Sequence, residues 1–309
     1  MTQTTQHILM VRPAAFGYNA ITAQNNAFQH TGEQLQEESS LQEKALAEFQ
    51  NFTNVLREAG VHVIEIFDTP EPKKPDAIFP NNWFTSHADN TLILYPMYAE
   101  NRRWERRRGI IELLEGEFII ENEIDFSHFE EDHKFLEGTG SMIFDRVNKI
   151  CYACLSERTE KSLLELFAEK TGYQIVAFHA SDEKGTPIYH TNVMMAMATD
   201  FAVVCLESIQ SSQEKEDILE QLKKTHKAVI DVSLTQMKEF TCNVLEVENA
   251  KGERFLVMSE RAYKHFTEEQ KTQIRRFTGI LKTPLTTIEH IGGGGARCMM
   301  AEVFFQPRH

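Results

Sequence analysis

Five chemically distinctive residues recur along this chain at nearly constant intervals, and that spacing restricts the fold more than any other feature. Asn82, Glu137, His190, Cys242 and Cys298 are separated by 55, 53, 52 and 56 residues. Each opens a unit of one pattern: a polar or glycine-containing corner, an apolar strand, a turn, a second apolar strand and a helix. The first unit reads Asn82-Trp-Phe-Thr, a turn at Asp89-Asn90, Thr91-Leu-Ile-Leu-Tyr and a helix near 100–116. The second runs from Glu137-Gly-Thr-Gly-Ser through a turn at Asn148-Lys149 and Ile150-Cys-Tyr-Ala-Cys-Leu to a helix near 159–170. The third starts at His190-Thr-Asn-Val, turns at Thr199-Asp200, continues as Phe201-Ala-Val-Val-Cys-Leu and ends in a helix near 212–225. The fourth is Cys242-Asn-Val-Leu-Glu-Val, a turn ending at Gly252, Phe255-Leu-Val-Met and a helix near 267–278. Repeats of this length are supersecondary units that stack side by side to bury a common core.

The fifth unit starts at Cys298 and runs out of chain, so its remaining pieces must come from the N-terminus. Those pieces are present. A strand from His7 stops at Pro13, a helical apolar pattern runs from Leu41 to Ala59 and ends at Gly60, and a strand follows from Val61 to Phe67. The expectation is a closed ring of five hairpins forming one domain over residues 1–309, with all corners at one end of a central channel. Residues 15–36, rich in Gln and Asn, read as a long loop.

The last corner is unusual. Gly292 to Gly295 cannot serve secondary structure, since each glycine loses more freedom on folding than any other residue. The run lets the main chain pass close to something and delivers Cys298 to the start of an apolar strand. A thiol placed where backbone N–H groups converge is a candidate nucleophile. A flexible hinge and a buried core cysteine are the alternatives that these residues alone leave open. A phosphate loop is excluded by the missing Lys-Ser/Thr ending and strand-then-helix context.

Charge removes other classes. With 32 basic and 46 acidic residues the net charge is −14, and the one basic tract, Arg102 to Arg108, is interrupted by Trp104 and Glu105. Nucleic acid calls for a concentrated basic face, so none is expected as a partner. No apolar run reaches a membrane span, and no signal pattern precedes His7. Five cysteines, an odd number, with no secretion signal point to a reducing cytoplasm. Cys151 and Cys154 lie inside an apolar run and read as core. His128 and His133, among acids, read as a solvated loop rather than a zinc site.

Taken together, Asp76-Ala-Ile-Phe-Pro-Asn-Asn, Leu136-Glu-Gly-Thr-Gly-Ser, Leu155-Ser-Glu-Arg-Thr, His190-Thr-Asn and the glycine run ending in Cys298 resemble the guanidine-modifying amidinotransferase superfamily. The resemblance covers nearly the whole chain and comes nearest to the citrulline-utilisation hydrolases, with arginine deiminases and dimethylarginine hydrolases as relatives. It implies an α/β five-bladed propeller (the pentein fold) of ββαβ repeats about a pseudo-five-fold axis. It implies Cys298 as nucleophile, His190 as general acid and base, and Glu137 as the carboxylate that supports proton transfer. Arg158 resembles the arginine that pairs with an amino-acid carboxylate, and an exposed helix-start arginine is the equally weighted alternative. Phe79 and Arg297 join Asn82 and Asn192 as expected substrate contacts. Family members keep a second carboxylate-binding arginine near Arg102 and Arg103, without the sequence saying which.

The departures matter too. Where arginine deiminases carry two aspartates that grip a guanidinium, this chain has Asn82 and Asn192. A guanidinium there would be a poorly paired buried cation, costing several kcal/mol. An amide both donates and accepts, as a ureido group requires. The expected activity is therefore hydrolysis of citrulline to ornithine, carbon dioxide and ammonia through a carbamoyl-cysteine, without cofactor or metal. The alternatives are hydrolysis of arginine or a methylarginine, and a non-catalytic binding member of the fold. A homodimer stays open.

Overall fold

The computed structural model describes residues 2–26, 28, 29 and 38–308; the side chains of Glu38 and Ser39, and part of the loop expected over 15–36, lie outside the described residues. Fifteen strands form five three-stranded sheets, and each follows the same rule. A short strand pairs antiparallel with its hairpin partner, and that partner pairs parallel with a third strand that follows the helix. β3 (Phe84–Ser86), β4 (Thr91–Leu94) and β5 (Asn122–Asp125) form one sheet. β6 (Ile143–Asp145), β7 (Ile150–Cys154) and β8 (Gln174–Phe178) form the next. They are followed by β9 (Met195–Met197), β10 (Phe201–Val204) and β11 (Ala228–Asp231), then by β12 (Leu245–Glu248), β13 (Arg254–Ser259) and β14 (Gly279–Thr283). The parallel crossovers carry helices α2 (Arg108–Glu117), α3 (Lys161–Thr171), α4 (Ser212–Lys224) and α5 (Glu268–Arg275), as parallel pairing requires.

The fifth sheet is built from both ends of the chain. β15 (Ala301–Val303) pairs antiparallel with β1 (His7–Arg12), and β1 pairs parallel with β2 (His62–Phe67) across helix α1 (Glu38–Glu58). Middle strands are continuous apolar runs because helices cover one side and other strands the other. Ile8, Leu9 and Met10 are fully buried, and so are Leu92 and Ile93.

Neighbouring sheets touch through their short first strands: β3 with β15, β6 with β9, and β9 with β12. Polar groups tie them near the N-terminus. Gln3 donates to Phe144 O at 2.8 Å and accepts from Arg146 N–H at 2.8 Å, while Ser86 Oγ donates to Glu302 O at 2.7 Å. Among the described residues no helix is long and apolar enough to cross a membrane.

The expected helix near 100–116 is two pieces, a 3₁₀ segment at Glu100–Glu105 and α2. The long loop contains a short 3₁₀ turn, Thr22–Gln24.

Candidate active site

The corners meet. The helical turn Gly138–Ser141 packs on the 3₁₀ turns Pro80–Asn82 and Thr191–Val193. Asn243 in the fourth corner donates to Asn192 O at 3.3 Å and accepts Arg297 N–H of the fifth at 3.1 Å. Gly292 and Gly294 lie against the Phe79 ring, where a Cβ would come within 2.9 and 2.8 Å of it. Gly293 has φ +65°, a left-handed conformation that a side chain resists. The run thus wraps an aromatic ring at close range, and this tight passage sets the position of Cys298.

A small cavity results, lined by Thr22, Asn26, Asp76, Phe79, Asn82, Arg102, Arg158, Tyr189, His190, the glycine run and Cys298, with about 20 Å³ of free space. That is room for a water molecule and not for an amino acid. The covering segment is held by Asn26 Nδ2 donating to Gly293 O (3.4 Å), Gln29 Nε2 donating to Gly292 O (3.2 Å), and Arg158 donating to Thr22 O (3.1 Å) and Asn25 Oδ1.

Cys298 Sγ receives two side-chain N–H donors, Asn192 Nδ2 at 3.3 Å and Asn243 Nδ2 at 3.2 Å. Burial pushes its thiol up, against the pull of these amides and of Arg297. His190 Nε2 and Glu137 Oε2 are 2.7 Å apart. Burial lowers the imidazole to about 4 despite that carboxylate. A neutral ring donates Nε2–H to Glu137 and leaves Nδ1 as the base. For Glu137 burial acts upward, but Arg158 (3.5 Å) and His190 outweigh it and hold the carboxyl near 2. The other Glu137 oxygen accepts Tyr98 N–H at 2.8 Å.

Asn82 is locked by Arg102, whose Nη1 donates to its Oδ1 at 2.9 Å, while Glu105 holds Arg102 from both oxygens at 2.9 Å. Asn82 Nδ2 and Asn192 Oδ1 are buried without a hydrogen-bond partner, as are Asp76 Oδ1 and Arg158 Nε. A buried polar atom without a partner is costly, and Asn82, Asp76 and Arg158 carry theirs in the lining of this cavity. Burial raises the Asp76 carboxyl, and Glu105 to about 7.

The structure therefore brings together Cys298, His190, Glu137, Asn82, Asn192, Arg158 and Phe79. Arg297 departs from expectation. Its guanidinium pairs with Glu302 at 3.0 Å and donates to Met300 O at 2.9 Å, because it lies on the far side of the thiol among the inner strands. Arg158 is buried, not the exposed turn residue its sequence position allowed. Asp76 and Asn243 were not expected as contacts, though Asp76 opens a quoted motif; of the pair Arg102 and Arg103, it is Arg102 that lines the cavity. The fourth corner contributes Asn243, whereas Cys242 beside it is fully buried. Gly293 N–H bonds Glu289 O, so that group of the glycine run is unavailable to an oxyanion.

A family model described as N,N dimethylarginine dimethylhydrolase, eukaryotic, matches residues 12–305. A search of curated protein sequences finds no match. Among solved structures, the apo arginine dihydrolase ArgZ of Cyanobacteria aligns with TM-score 0.76 and 18% identity, covering 98% of this chain and 41% of that one. The chain thus spans well under half of that protein's length. The N-terminal domain of ArgZ with a covalent reaction intermediate aligns with TM-score 0.75 and 19% identity, over 96% and 97% of the two chains. A dimethylarginine dimethylaminohydrolase variant, an adduct with S-methyl-L-thiocitrulline, aligns with TM-score 0.64 and 13% identity, over 97% and 99%.

Proposed function

The chain belongs to the N,N dimethylarginine dimethylhydrolase family, within the pentein amidinotransferase superfamily, and from that premise we propose a cysteine-dependent hydrolase cleaving C–N bonds at the terminal carbon of an arginine-type amino acid. The observation that carries this reading is the convergence in one cavity of a thiol held by two amides and an imidazole held by a carboxylate. We read the corners as one end of a closed five-bladed propeller and the chain as one domain. Five free, buried cysteines fit a cytoplasmic setting.

Arginine and methylated arginines are the leading substrates. The family model and the arginine dihydrolase and dimethylarginine neighbours favour them over citrulline. Charge agrees: Arg102 is paired with Glu105 and Arg158 with Glu137, and Asp76 is a further acid in the lining, which suits a cationic side chain. Asp76 Oδ1 is an open acceptor for an α-ammonium, and Arg158 Nε an open donor for an α-carboxylate.

In the reaction, His190 Nδ1 takes the Cys298 proton as Sγ adds to the terminal carbon, and the imidazolium so formed gives that proton to the leaving nitrogen as one C–N bond breaks. Water then adds to the thio-intermediate, His190 takes its proton, and the S–C bond breaks. Glu137 stabilises the imidazolium in both halves.

A second reading, citrulline, rests on the two amides. Arg102 fixes Asn82 so that its Nδ2 is left without a partner, and the bond to sulfur leaves Asn192 Oδ1 open. One donor and one acceptor match a ureido group, whereas a guanidinium, all donors, leaves Asn82 unsatisfied at about 1–3 kcal/mol.

Product analysis for ammonia, citrulline and ornithine with arginine, methylarginines and citrulline decides between them. Greater kcat/KM on a guanidino substrate is expected. Citrulline preferred by tenfold selects the second reading, and no turnover of any substrate returns the chain to a non-catalytic binding protein.

A further inference from the structure

The fourth corner holds the thiol through Asn243, but the reaction as written gives that residue no chemical role. Cys242, the residue that marks this corner, is fully buried and its thiol is pushed far up by desolvation. Its neighbour Asn243 is different. Its Oδ1 accepts Arg297 N–H at 3.1 Å, and its main-chain O accepts the same N–H at 3.3 Å. An N–H can only donate, so the amide orientation is fixed and Nδ2 must face outward from this anchor. What Nδ2 meets is Cys298 Sγ, at 3.2 Å, with Asn192 O at 3.3 Å. Asn192 Nδ2 meets the same sulfur at 3.3 Å.

We propose that Asn243 is a catalytic residue, paired with Asn192 in a cradle of two amide N–H donors that holds Cys298 as the thiolate. The proposal rests on Cys298 as nucleophile but not on which substrate it attacks.

The physical need is clear from the surroundings. Burial disfavours the charged sulfur, and the cavity holds neutral His190 rather than an adjacent cation. Of the charged groups nearby, Arg102 is paired with Glu105 and Arg158 with Glu137; Asp76 in the same lining is acidic, and burial pushes the Tyr189 phenol up. Arg297, itself paired with Glu302, and the Gly295 backbone also favour negative sulfur, and the two side-chain amides are the donors that touch it from the third and fourth corners. Hydrogen bonds to charged groups are about twice as strong as neutral ones. An amide has no charge of its own to repel a guanidinium or ureido group, unlike a lysine placed there.

The test titrates the thiolate by its ultraviolet absorbance, taking the difference from Cys298→Ser, which needs no substrate. Asn243→Asp keeps an oxygen for Arg297 N–H and turns a carboxylate oxygen toward sulfur; Asn243→Leu removes both contacts. In both, the midpoint should rise by about one to two pH units, a tenfold to hundredfold loss of thiolate near neutrality. Thermal melts establish that each variant is folded. An unmoved midpoint in folded Asn243→Asp overturns the proposal, and so does a rise confined to Asn243→Leu, which marks Asn243 as an anchor of the loop alone. Wild-type protein that titrates normally yet turns over no arginine-type substrate leaves the cradle standing and removes the function proposed above.

Discussion

The His190–Glu137 pair ties function to stability through its protonation. Unfolded, His190 takes up its proton near 6.5; folded, it resists until about 4, because burial penalises the cation. Protonation therefore favours the unfolded chain, and stability falls as pH drops from 6.5 to 4. Glu137, held near 2 against an ordinary 4.5, adds stability that is complete above 4.5 and lost as pH falls toward 2. The urea midpoint of wild-type protein should thus decline between pH 7 and 4, and His190→Gln should flatten that part; an equal slope in both would refute the assignment. Cys298→Ala should abolish turnover while leaving the melting temperature nearly unchanged, since removing one sulfur perturbs little packing. At this scale the sequence was legible through the corner spacing, which marked Cys298, His190 and Glu137, residues that the structure gathers at one place. Asn243 and Asp76 did not, because an amide beside a cysteine and an acid at a motif edge carry no signal until the corners are superposed. The recoverable clue was positional: the first, third and fourth corners each carry an asparagine two or three residues before the first strand of the unit.

Among the elements, helices and middle strands were readable because helices cover one face and sheet neighbours the other, leaving long apolar periodicities. Of the third strands, β2 was read but β5 was not: it is largely exposed, so Asn122–Asp125 shows neither alternation nor an apolar run. Pairing with β4, not its own composition, makes it a strand. The glycine run was correctly singled out as a close approach, but its target, Phe79, could not be read from spacing. Gly294→Ala should therefore act on the site: a Cβ within 2.8 Å of the ring must displace Phe79 or the loop bearing Cys298. Overpacking of this kind costs about 1–3 kcal/mol, and kcat should fall severalfold or more. Wild-type kinetics in that variant would show that the loop does not position the thiol. By contrast Thr267→Ala removes the capping box that starts α5, where Thr267 Oγ1 accepts Gln270 N–H at 3.2 Å and Gln270 Oε1 accepts Thr267 N–H at 2.8 Å. About 1 kcal/mol of stability should go with kcat unchanged, measurable as a lower urea midpoint.

For the molecule as a whole, the near-constant interval between corners foretold both the repeating sheet and the meeting of distant residues, since stacked identical units place equivalent positions together. Spacing also required N-terminal pieces to complete the fifth unit, and the structure gives their order: β1 is the middle strand of the sheet that carries β15, the strand after Cys298. The sheet that follows Cys298 is thus completed by residues almost three hundred positions away. Ile8, Leu9, Met10 and Val11 are each at most 2% exposed. At about 1.5–3 kcal/mol per buried side chain, β1 contributes roughly 6–12 kcal/mol. That approaches the whole of a typical net stability of about 5–15 kcal/mol. Deleting residues 2–12 should therefore abolish cooperative unfolding and near-ultraviolet circular dichroism, not merely trim an end. Loss of activity alone could come from a disturbed Cys298, so the decisive reading is hydrogen exchange in β7 and β10, far from the deletion. If those strands stay protected at wild-type level, the remaining four sheets stand without closure and the ring is not the unit of folding; if they exchange with the rest, stability and active site depend on the same join.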